Sequence, residues 1–329
     1  MILDAARASV ATSLGVRPQD VYFASSGPTA LSAAVQGLLG MRGAAPRRAV
    51  ASAVESMAVL SPLEQWADEV ELARVDGFGR LDLAAFEEAI ARPTALACVQ
   101  AANAEVGTRQ PLAEAGVLAR AAGVPLLVHA IQVIGHDPMP GEWDVLAASA
   151  RDWGGPAGVG ILVKRPDVRW TPDQSGDRGW VGGFPDIPGA AAAAAALEYL
   201  EGSVADENRR LRELVDRIRT GFAEIPGIRI AGDPVDRLPH IVTLTCEAVT
   251  GEALVGELAR AGISVASGSA CTSDTRMASH VLEAMGLAAD ASVRISLPYG
   301  CTLDTVQALL VALPAAVTRL RSGPGTEAG

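Results

Sequence analysis

PLLVHAIQVIGHDPMPGEWDVLAASARDWGGPAGVGILVK, residues 125–164, contains three apolar runs: PLLVHA (125–130), WDVLAAS (143–149) and GVGILVK (158–164). None of them alternates polar with apolar. A sheet covered on both faces requires strands of this continuous kind, and such sheets are mostly parallel. Toward the N-terminus the texture repeats. VYFA (21–24) precedes a helical pattern opening near Thr29, AVASAV (49–54) precedes Met57–Trp66, and VELARV (70–75) precedes Leu81–Ile90. TALACV (94–99) precedes Leu112–Ala122. Strand and helix in alternation predict an α/β domain over residues 1–200.

After Pro188 the pattern changes. The run Ala190–Ala196 leads into LEYL and reads as a buried helix, since alanine has the best helix propensity and packs closely. A charged helical stretch (Glu207–Ala223) follows. Short strands near Ile228–Ile230 and His240–Leu244 come next, then Glu252–Ala261, Ser279–Met285, SVRISL and a helix near Leu303–Leu320. These predict a smaller α+β domain over residues 201–329.

Composition excludes several classes of function. The chain has 329 residues, with hydrophobic residues at 49% and charged residues at 20%, too apolar for a disordered protein. Its net charge of −11 argues against a phosphate-binding nucleic-acid surface. No continuous apolar run reaches the length of a bilayer span, and MILDAARASV lacks the basic start of a signal peptide. Four spread cysteines (Cys98, Cys246, Cys271, Cys301) form no CxxC and suit free thiols in a reducing cytosol. No cluster has metal-ligand spacing, and no P-loop or dinucleotide fingerprint is present.

The sharpest motif is SGSACTS (267–273), a stretch of small residues presenting Cys271. SHVLEAMG (279–286) and VRISLPYG (293–300) follow it. Together they resemble the C-terminal part of cysteine desulfurases, in the class V aminotransferase branch of the pyridoxal-phosphate enzymes of fold type I. The resemblance runs through YFASSGPT (22–29), SAVES (52–56), ANAEVGTRQP (102–111), VHAIQVIG (128–135) and SARDWGGPAGVGIL (149–162). It implies a large domain with a mostly parallel sheet, a dimer, and a cysteine, Cys271, that attacks the substrate sulfur and carries a persulfide. By the same resemblance Arg294 binds the substrate carboxylate, while Gln132, Asn103 and Ser149 lie at cofactor-contact or substrate positions.

Several positions depart from the family pattern. The Schiff-base lysine position is Asp152, the histidine before it is Arg151, and the ring-nitrogen aspartate is His129. The stacking histidine is Ser56, the phosphate-cup threonine is Pro28, and the asparagine beside the ring hydroxyl is Ala104. Val181 and Phe184 stand where the family has an arginine and a threonine. The family's first strand and turn have no counterpart. Lys164 is the only lysine, and it reads as an exposed strand-end residue. A pyridoxal enzyme needs a lysine amine and a carboxylate at the ring nitrogen. These departures therefore predict a cytoplasmic protein with no cofactor, one that handles sulfur through Cys271. It would act as a persulfide acceptor, in a homodimer or in a heteromer with an active desulfurase or an acceptor protein. Two alternatives stay open: a non-catalytic structural or regulatory subunit, and a thiol enzyme built from Cys271, His129 and Asp152 with Arg151 nearby.

Overall fold

The computed structural model describes residues 1–40, 46–137, 141–171, 181–267 and 278–322. Two compact units divide the chain. The first comprises Met1–Val75, Leu81–Asn103 and Gln110–Val204; the second comprises Asp76–Arg80, Ala104–Arg109 and Ala205–Gly329.

In the first unit seven strands form one sheet: β1 (Val21–Ala24), β2 (Arg48–Ser52), β3 (Glu69–Ala73), β4 (Leu96–Gln100), β5 (Leu126–His129), β6 (Val145–Ser149) and β7 (Gly160–Lys164). Their order is β1-β7-β6-β5-β4-β2-β3. Four of the six pairings are parallel; β7 runs antiparallel to both β1 and β6. Every residue of β1, β2, β4, β5, β6 and β7 is buried, as the continuous apolar runs require. Only β3, at the edge, is partly exposed.

Helices α1 (Ile2–Leu14), α2 (Gly27–Leu39), α3 (Met57–Trp66), α4 (Leu83–Ala91), α5 (Leu112–Ala121) and α6 (Ile187–Glu201) accompany the sheet. Side-chain caps start three of them. Ser26 caps α2 by accepting from Thr29 N, and Pro28 sits in the first turn, where its missing N–H costs nothing. Asp82 caps α4 through the amides of Ala84 and Ala85, and Asp186 caps α6 through Gly189. The alanine run of α6 buries Ala190, Ala193 and Ala194 while Ala192, Ala195 and Tyr199 are exposed. The expectation of a buried helix is thus corrected to a helix with one covered face.

The register places the functional edge. Gln100 pairs with His129, His129 with Ala147, Ser149 with Gly160, and Gly160 with Ala24. The carboxyl ends of β1, β2, β4, β5 and β6 therefore lie in one row, the edge where open α/β sheets bind ligands.

In the second unit β8 (Ile228–Ala231), β9 (Ile241–Cys246) and β10 (Ser292–Ser296) form an antiparallel sheet of order β10-β9-β8. It packs with α7 (Val204–Ala223), α8 (Gly251–Arg260), α9 (His280–Ala284) and α10 (Leu303–Ser322). Leu211, Val215, Ile218, Phe222, Val242, Leu244, Leu254, Val293, Val306 and Leu313 make its core. Burying one such aliphatic side chain contributes about 1.5–3 kcal/mol. α10 qualifies a sequence expectation: among the described residues it alone is long and apolar enough by composition to cross a bilayer. Its Val306, Leu309, Leu313, Ala316 and Val317 are buried in the core of this unit.

Candidate functional site

The residues at the carboxyl edge of the first unit form a polar cluster. The turn after β2 carries Glu55, whose side chain is fully buried, and Ser56. Ser56 is the N-cap of α3, yet its hydroxyl makes no capping bond. It lies 3.0 Å from His129 Nδ1, and a capping bond is worth about 1 kcal/mol. Glu55 Oε1 accepts from the Ser56 amide at 3.0 Å and sits 3.5 Å from the same imidazole nitrogen. The turn carbonyl of Val54 accepts from Gln100 Nε2 and, at 3.1 Å, from Asn103 Nδ2.

On the far side of β5 lies Asp152, in the short 3-10 helix Ala150–Trp153 that continues β6. Its carboxylate accepts from Gln132 Nε2 at 3.1 Å and from the Gln132 amide at 3.4 Å. That pair of bonds holds Gln132 at φ 59, in the left-handed region that costs a non-glycine residue about 1 kcal/mol or more. Burial raises the Asp152 carboxyl above its ordinary range, while His129, Arg151 and the bonds from Gln132 pull the other way. Arg151 Nε is 3.8 Å from Asp152 Oδ1, but its side chain is mostly exposed, so the pair contributes little. Ser149 closes against Gly27: a Cβ at Gly27 would lie 2.8 Å from that of Ser149.

The raised carboxyl has a measurable consequence. An acid whose folded value exceeds its unfolded one binds protons preferentially in the fold, so its cost at neutral pH is relieved as pH falls through the folded value. Stability of the native chain relative to Asp152→Asn is therefore expected to improve between pH 7 and pH 4, read as denaturant midpoints at stepped pH. A difference that is flat, or that falls with acidification, would contradict this assignment.

Lys164 is not the exposed residue expected from sequence. It is 7% exposed, and its ammonium donates to the carbonyls of Arg165 at 2.9 Å and Val168 at 3.2 Å. β7 turns sharply after Lys164, and the amine ties that turn together at the amino-end edge of the parallel strands.

The second unit holds the other candidates. Ala266 and Arg294 pair backbone to backbone, with N···O distances of 3.0 and 2.7 Å. Arg294 Nη1 also donates to the Ala104 carbonyl at 3.3 Å. Ser279 is fully buried; its hydroxyl donates to Glu105 Oε2 at 2.5 Å and accepts from Leu282 N to cap α9. Thr243 Oγ1 donates to the Glu105 carbonyl at 2.5 Å. Cys271 lies outside the described residues, between these two anchored points of the chain. The other three cysteines are buried, and burial raises the thiol of each, Cys98 most strongly.

The structure thus joins Gln132, Asp152 and Arg151, and His129 is among the groups that act on the Asp152 carboxyl against its burial. Asn103 serves the turn at Val54, and Ser149 the close approach to Gly27. Sequence reasoning missed the contact of Ser56 and Glu55 with His129. The signals were an adjacent Glu and Ser directly after an apolar strand, and a resemblance that set Ser56 and His129 at two contacts of one ring.

Comparison with known proteins gives the family. The class-V aminotransferase model matches residues 1–309. A cysteine desulfurase of Cereibacter sphaeroides is 36% identical over 97% of this chain and 86% of its own length. An IscS-like cysteine desulfurase of Mycobacterium tuberculosis is also 36% identical, over 99% of this chain and 88% of its own. Among solved structures, a NifS-like protein superimposes with a TM-score of 0.88 at 26% identity, covering 96% of this chain and 87% of that one.

These findings correct one expectation. Substituted contacts had suggested a chain without a cofactor, but its relatives are cysteine desulfurases, which use pyridoxal phosphate, and the family depends on that group. Gln132, Ser149 and His129, which the resemblance sets at cofactor-contact positions, lie at or just after the carboxyl ends of β5 and β6. Among the described residues nothing fits a covalent link to such a group, since position 152 is an aspartate and the Lys164 amine is held at the opposite edge. With its family model spanning 309 residues and its relatives matching nearly end to end, the chain belongs to the class-V aminotransferase family, among homologues of the cysteine desulfurases.

Proposed function

We propose that this chain accepts and passes on sulfane sulfur through Cys271. The observation that carries the reading is the state of the other thiols. Cys98, Cys246 and Cys301 are buried with their thiols pushed up, so each is a poor nucleophile at neutral pH. Cys271, in SGSACTS, is the remaining cysteine of the four. Ala266 on one side of it pairs with Arg294, and Ser279 on the other bonds Glu105, so the anchors of this stretch belong to one unit.

The chemistry balances without an added oxidant. The Cys271 thiolate attacks the outer sulfur of a donor persulfide, the donor S–S bond breaks, and the donor leaves as a thiolate. The product is a persulfide on Cys271, which a second thiol removes by the same step. The donor on this reading is a persulfide-bearing cysteine desulfurase, met in a homodimer or a heteromer, and an acceptor protein receives the sulfur in a reducing cytosol.

Thiol mapping tests it. Under limiting iodoacetamide the folded chain is expected to alkylate at Cys271 before the other three cysteines, with the order read by peptide mass spectrometry. Labelling of Cys98, Cys246 or Cys301 ahead of Cys271 would overturn the reading.

A further inference from the structure

Helix α9 is five residues long (His280–Ala284), too short to persist by itself, so what fastens its ends decides its place. At its start Ser279 is fully buried and uses its hydroxyl twice. The hydroxyl accepts from Leu282 N at 3.2 Å and donates to Glu105 Oε2 at 2.5 Å. At the other end the C-cap residue Met285 lies against the turn 76–80. A Cβ at Gly79 would meet Met285 Sδ at 3.0 Å and Val106 Cγ2 at 3.6 Å.

Glu105 is itself fixed. It is buried, and its carbonyl accepts from Thr243 Oγ1 at 2.5 Å. Thr243 stands opposite Arg294 in the pairing of β9 with β10, and the Gly107 carbonyl accepts from Leu238 N at 2.8 Å. Residues 104–109 lie between β4 and α5 in sequence, yet they belong to the second unit. The same pair of strands holds the entry to the Cys271 stretch, where Ala266 pairs with Arg294. The two ends are held differently. Backbone pairing fixes the entry, and no side-chain change removes it. The exit depends on side chains: the Ser279–Glu105 bond, with Val281 and Leu282 buried behind it.

A segment closed between two fixed points samples fewer conformations than one with a loose end. Transfer between two sulfurs that are each carried by a protein demands orientation, whereas a small reagent approaches from any side.

We propose that Glu105 is a positioning residue for sulfur acceptance: through Ser279 it fixes the point at which the chain leaves the Cys271 stretch, so that the thiolate meets a protein-borne persulfide in line. The proposal rests on the sulfur-accepting role of Cys271. The new S–S bond forms on Cys271 as the donor S–S bond breaks, and the donor departs as a thiolate. Glu105 acts on this step only through Ser279.

The test measures initial rates of label transfer from a cysteine desulfurase loaded with heavy-isotope sulfane sulfur, at several donor concentrations. The rate of iodoacetamide labelling at Cys271 is measured beside it. Ser279→Ala removes the hydroxyl, and Glu105→Asp leaves the carboxylate one carbon short. Each should lower the maximal transfer rate about tenfold, the scale of one lost buried hydrogen bond, with the half-saturating donor concentration unchanged. Iodoacetamide labelling should stay within about twofold of native, since it needs no alignment. The double variant should lose no more than either single one, because one bond is removed once. Ser279→Thr keeps the hydroxyl and should transfer at the native rate. Native rates in both Ser279→Ala and Glu105→Asp, a loss repeated in Ser279→Thr, or a fall in iodoacetamide labelling equal to the fall in transfer would each overturn the proposal. A native chain that takes no label would overturn the sulfur-accepting reading itself, and this proposal with it, so the two failures are distinct. Glu105→Asp leaves the cap of α9 in place, so its readings stand whether or not Ser279→Ala folds.

Discussion

Gly160→Ala is expected to lower the stability of the first unit by at least about 3 kcal/mol, the upper end of the overpacking range. Gly160 opens β7 and lies between Ala24 of β1 and Ser149 of β6. A Cβ there would sit 2.0 Å from the carbonyl oxygen of Ser26, 2.3 Å from its carbon and 2.9 Å from Gly27 N. All three atoms are backbone, so no rotamer change relieves the overlap. Either β7 leaves β1, or the turn that opens α2 moves away from Ser149. In a unit of this size the loss corresponds to a melting shift of about 6–12 °C. Gly158→Ala is the control: its Cβ would approach nothing closer than Ser25 O at 4.0 Å, and it should cost under about 0.5 kcal/mol. Equal melting temperatures for the two variants would refute the packing described at this edge.

Cys271→Ser is expected to abolish sulfur acceptance from a persulfide-loaded donor, while leaving the fold intact. A serine hydroxyl is not ionised at neutral pH and forms no persulfide, so the loss should be complete. Cys98→Ser and Cys301→Ser replace buried thiols and are expected to change stability before they change sulfur transfer. Cys246 is the more informative control. Its sulfur accepts from Arg321 Nη2 at 3.5 Å, and that cation opposes the effect of burial, as Arg210 does at Cys301. If Cys246→Ser, and not Cys271→Ser, removed the transfer, the assignment would move to the carboxyl end of β9.

The fold was legible because most strands of the first sheet are buried on both faces. Runs such as LLVH and GILVK are short enough to read as such strands, and α2 and α4 begin at recognisable caps. Periodicity carries no strand direction, however, so the antiparallel setting of β7 between β1 and β6 could not be read from GVGILVK. The assignment of residues 76–80 and 104–109 to the second unit was hidden for a similar reason. Thr108 pairs with Arg237 and Arg80 bonds Asp236, partners more than a hundred residues away. At the site, resemblance located His129, Gln132, Ser149 and Asp152, all at strand ends or directly after them. It could not show Ser56 turned from its helix toward a histidine 73 residues later. Nor could it show Lys164 folded onto the carbonyls of its own turn, since a lone strand-end lysine reads as solvated until that turn is known.

The most direct measurement follows a labelled sulfur. A cysteine desulfurase loaded with heavy-isotope sulfane sulfur is mixed with the native chain under anaerobic, reductant-free conditions, and the cysteine-containing peptides are mapped by mass. One labelled sulfur on the Cys271 peptide, absent from Cys271→Ser and from the peptides of Cys98, Cys246 and Cys301, is the predicted result. Label on any of those three, or an unlabelled Cys271 beside a donor that remains loaded, would contradict it.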